Sequence, residues 1–146
     1  MSLLSRIGMI VLAFLLASAA AGMTIAFALL GVETLSGPRA DPMGFWALVL
    51  VISGLTGAVS VAPLFLVVAL AEGYQWRSVY LYAIAGVAIM VGGYFISGFA
   101  DRLDASAVHL PVFQEAQIAA AAGVVFGLVY WLFAGRKAGR WRMPRL

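Results

Sequence analysis

The sequence predicts an all-α integral membrane protein: four transmembrane helices in an antiparallel up-down bundle, with both termini in the cytoplasm. Three observations carry that expectation. Of 146 residues, 64% are hydrophobic and only 10% charged, with a mean hydropathy of +1.06, whereas roughly a quarter of the positions in a soluble domain are charged. The apolar residues fall in four long runs that contain no charge, each close to the roughly 20 residues that cross a hydrocarbon core about 30 Å thick. Lys and Arg crowd the connections on one side of those runs, as they do on the cytoplasmic side of a membrane.

The first run, residues 7–30, has two readings. Its start, "MSLLSRIGMIVLAFLLASAAAGM", combines Arg6, an apolar core and the small-residue pattern Ala17-Ser18-Ala19, which is how a secretory cleavage site looks. The apolar character continues through "TIAFALL" to Leu30, too long for a signal core and right for a span. A retained first helix is therefore expected, with cleavage within residues 1–19 as the alternative.

The second run covers 45–71 and the third 79–99. The fourth is apolar from Ile118 to Phe133 and reaches spanning length as 116–135, at the cost of the amide of Gln117 near one end. Residues 136–146 form a basic tail, and the whole chain, 1–146, reads as one membrane domain.

Orientation follows from the positive residues. With the N-terminus inside, the cytoplasmic segments hold Arg6, Arg77, Arg136, Lys137, Arg140, Arg142 and Arg145, against Arg39 and Arg102 outside. A seven-to-two bias fixes the expected topology. The acidic residues Glu33, Asp41, Asp101, Asp104 and Glu115 fall outside and Glu72 inside, so the outer face carries −3 and the inner +6.

The basic tail could suggest nucleic acid on a soluble domain. Here it follows a span directly, behind Tyr130 and Trp131 at the expected interfacial level. The reading is a lipid-headgroup anchor made of Tyr130, Trp131, Arg136, Lys137, Arg140, Arg142 and Arg145, each cation contributing about 1 kcal/mol beside anionic headgroups. No nucleic-acid partner is expected; membrane lipids are.

The connections are short. "GVETLSGPRADPMG" reads as an extended, turn-rich connector and "EGYQWRS" as a tight hairpin. In the longest, "ADRLDASAVHLPVFQEAQ", Pro111 suits a first helical turn, and Glu115 would sit near the positive end of helix four. His109 is the sole histidine and there is no cysteine, so no metal-ligand set can be assembled from this chain. A solvated loop histidine is the expected reading, a ligand role the alternative.

In lipid, helices associate through close packing of small side chains repeated every four positions. The candidate packing residues are Gly54 and Ala58 in helix two, Gly86 and Gly93 in helix three, and Gly123 and Gly127 in helix four, the last pair within "GVVFG". Such seams serve either the bundle itself or a contact with another membrane protein or a second copy. Ser53, Thr56 and Ser60 share one face of helix two with Pro63 a turn on. Hydroxyls there commonly bond their own helix; the alternative is a polar path in a small oligomeric channel or transporter.

An enzyme is not expected, and neither is a cofactor. No phosphate loop, nucleophile elbow, metal cluster or paired histidine and carboxylate is present. A proton-coupled carrier would carry a carboxylate or Arg within a span, and the four runs have none.

With "EGYQWRS" between helices two and three and "YWLFAGRKAG" after helix four, the second half of the chain resembles small, uncharacterised four-helix inner-membrane proteins of the alphaproteobacteria. The resemblance implies a bacterial inner membrane and no particular activity. Small multidrug carriers share the four-helix size but need a carboxylate within helix one, and Glu33 lies past its end. The expectation is thus a structural, accessory or assembly component that packs against a larger membrane complex.

Overall fold

The computed structural model describes residues 3–31, 35, 41–74, 78–96 and 112–137. Four α-helices make up nearly all of these: α1 (Leu3–Leu30), α2 (Pro42–Tyr74), α3 (Val79–Ile96) and α4 (Val112–Phe133), followed by a 3₁₀ turn at Gly135–Lys137. Each is long and apolar enough to cross a membrane.

Local chemistry sets the helix ends. At the end of α1, Gly31 adopts φ 72° and its N–H donates to the Phe27 carbonyl at 3.0 Å, the left-handed cap that a residue without Cβ accepts at no steric cost. At the start of α2, the Asp41 carboxylate accepts from the Gly44 N–H at 3.0 Å, while its backbone carbonyl accepts from the Phe45 N–H. Pro42 follows as the first helical residue, where its missing N–H costs nothing. That cap starts α2 three residues ahead of the apolar run.

At 33 residues α2 is about 50 Å long. It exceeds the hydrocarbon thickness, so its ends reach the headgroup layers or the helix tilts. Pro63 lies inside it, leaving one backbone carbonyl without its helical donor, which a membrane helix tolerates where neighbours pack around it. α4 begins earlier than the apolar run suggested and carries Glu115 in its first turn, favourable beside the helix's positive end.

The helices are arranged in the order α2, α1, α4, α3, with α1 packed on α2 and α4, and α3 packed on α4. The contact between α2 and α3 is the thinnest of the four. One core holds the fully buried Ala13, Ala17 and Ala21 of α1 with Leu64, Phe126 and Tyr130; Phe14 meets Phe126 edge to face, centroids 6.2 Å apart. A second groups Ala26, Phe45 and Val49, with the Phe27 and Phe45 rings 5.0 Å apart. Large apolar side chains line the outside, Leu50 at 73% and Phe65 at 70% exposure among them, a surface that lipid solvates and water does not.

Candidate functional site

The closest approach is between α3 and α4, and glycine makes it. A Cβ added at Gly123 would lie 2.6 Å from the Gly86 carbonyl oxygen, and one at Gly127 would lie 2.7 Å from the Tyr82 carbonyl carbon. Both neighbours are backbone, which cannot rotate away. Gly93 faces α2 instead, where its Cβ would lie 2.7 Å from Cγ1 of Val59.

The remaining two packing candidates point elsewhere. Gly54 is exposed, and a Cβ there would meet nothing within 4 Å; Ala58 is exposed too. Within the bundle they are not packing residues, although their four-residue spacing matches that of Gly123 and Gly127. In their place α2 turns Ser53 and Gly57 to α1, and Thr56 and Ser60 of the same helix are buried.

That buried face holds the hydroxyl stripe. Ser60 is fully buried and Thr56 nearly so, and the Ser60 hydroxyl donates to the Thr56 carbonyl of its own helix, satisfying in place a group that is costly to leave bare in lipid. From α1, Gly22 receives Ser53, its added Cβ falling 2.8 Å from the Ser53 backbone nitrogen, while Ser18 approaches Gly57 at 3.4 Å from the corresponding position. The Ser18 and Ser53 hydroxyl oxygens are buried without a hydrogen-bond partner. Pro63 is half-buried further along the same helix. Ser18 and Gly22 were legible only as small residues in α1, because their partners lie on a different helix.

Arg6 links the two ends of the chain. It is 8% exposed, and its Nη2 donates to the carbonyl of Ala134, just past α4, at 3.2 Å. A cation at a helix C-terminus meets both an orphan carbonyl and the negative end of the dipole. Tyr130, expected at the lipid interface, is instead 2% exposed, with its ring 5.9 Å from that of Tyr82; its position one turn before the α4 end points it into the bundle. Trp131 is half-buried, and the exposed Arg136 places its guanidinium carbon 5.6 Å from the Trp131 ring centroid, an attraction of about 0.5–1 kcal/mol at such a site. The Lys137 side chain, Arg140, Arg142, Arg145 and His109 lie outside the described residues. On the opposite half of the bundle, the Tyr94 hydroxyl donates to the Glu115 carboxylate and ties α3 to α4.

Between α2 and α3 runs a crevice whose lining includes Leu64, Val67, Tyr82, Ala85, Ile89 and Phe126, enclosing about 10 Å³. That is the lower limit for a single water, and the lining is apolar. Among the described residues no three His, Cys, Asp or Glu side chains gather as a metal site.

No protein-family model matches the chain, and comparison with curated proteins and with solved structures also finds no match. The class rests on the physics of the chain: four apolar helices of spanning length, packed through small residues with large side chains outward, are the makings of a multi-pass membrane protein.

Proposed function

We propose that this is a non-enzymatic bundle of the bacterial inner membrane, with antiparallel helices and both termini in the cytoplasm, that packs as a structural, accessory or assembly component against a larger membrane complex. The opposed order of the α3–α4 contacts, Tyr82 on Gly127 and Gly86 on Gly123, and the tie from Arg6 to Ala134 support the up-down path. The seven-to-two cation bias supports the orientation.

One observation carries the docking role: Gly54, Ala58 and Ala62 present a small-residue face of α2 outward. Such faces let a second helix approach closely, and that approach drives association in lipid. Purification from native membranes in mild detergent is expected to recover a stoichiometric membrane-protein partner, and Gly54→Leu to lose it while the bundle stays folded. A wild-type chain recovered alone, or a partner indifferent to Gly54→Leu, overturns the proposal.

The second reading, a small oligomeric channel or transporter, draws on the buried hydroxyls of Ser18 and Ser53 that lack partners. Liposome flux that disappears in Ser53→Val would favour it over the docking role.

A further inference from the structure

We draw no further inference here: the strongest candidate, the buried Ser18 and Ser53 hydroxyls where α1 meets α2, belongs to the face already described, and nothing in the structure shows what those hydroxyls would bind.

Discussion

Between Gly86 and Gly123 there is no room for a methyl group, and at Gly54 a methyl group would meet nothing within 4 Å. The same substitution therefore has opposite consequences at the two kinds of site. Gly123→Ala is expected to destabilise the bundle by about 1–3 kcal/mol through overpacking against backbone. Gly54→Ala relieves glycine's backbone entropy at no steric cost and should leave stability unchanged or raise it by up to about 1 kcal/mol. Unfolding in mixed detergent micelles, followed by circular dichroism, reads both. Arg6→Ala removes a charged hydrogen bond to the Ala134 carbonyl and should cost about 1.5–3 kcal/mol. If Arg6→Ala unfolds with the wild-type midpoint, the tie from Arg6 to Ala134 contributes nothing.

At the scale of the element, apolar runs set the helices and polar residues set their ends. The "DP" at Asp41 and Pro42 carried the start of α2 in plain sight: an N-cap carboxylate followed by a proline at the first helical position. Within a turn-rich connector the same pair reads as loop, so the apolar run alone starts the expected helix at 45, three residues late. Asp41→Ala should destabilise by about 1 kcal/mol and Asp41→Asn by only a few tenths, since the amide oxygen still caps. Faster hydrogen exchange at Gly44 and Phe45 in Asp41→Ala alone would identify the cap as the cause. Apolar length was a sound guide for the helices because a backbone in lipid has to satisfy itself internally, whatever the side chains.

Over the whole molecule, the absence of cysteine from the sequence makes single-cysteine labelling a clean measurement of topology. Under the proposed orientation, Arg140→Cys reacts with a membrane-impermeant maleimide only in inverted membrane vesicles, and Ser36→Cys only from the outside. Labelling of Arg140→Cys in intact cells overturns the proposed orientation. What the bundle does with its outer faces depends on its order, α2, α1, α4, α3, which leaves α2 held mainly by α1 and its Gly54 side open to a partner.

The sequence by itself determined that this chain has four apolar helices of spanning length, because that follows from composition and run length. It also marked Gly86, Gly123 and Gly127 as close-packing positions through their spacing. Only the tertiary structure decided which face of α2 is inside. That helix carries two small-residue faces, one of Gly54, Ala58 and Ala62 and one of Ser53, Gly57 and Ser60, and the second is the one that meets α1. In water, hydrophobicity would have separated them. In lipid both faces are equally well solvated, so the choice falls to shape, to whether Ser53 finds a glycine opposite it at Gly22, and shape complementarity between helices is not written in either helix alone.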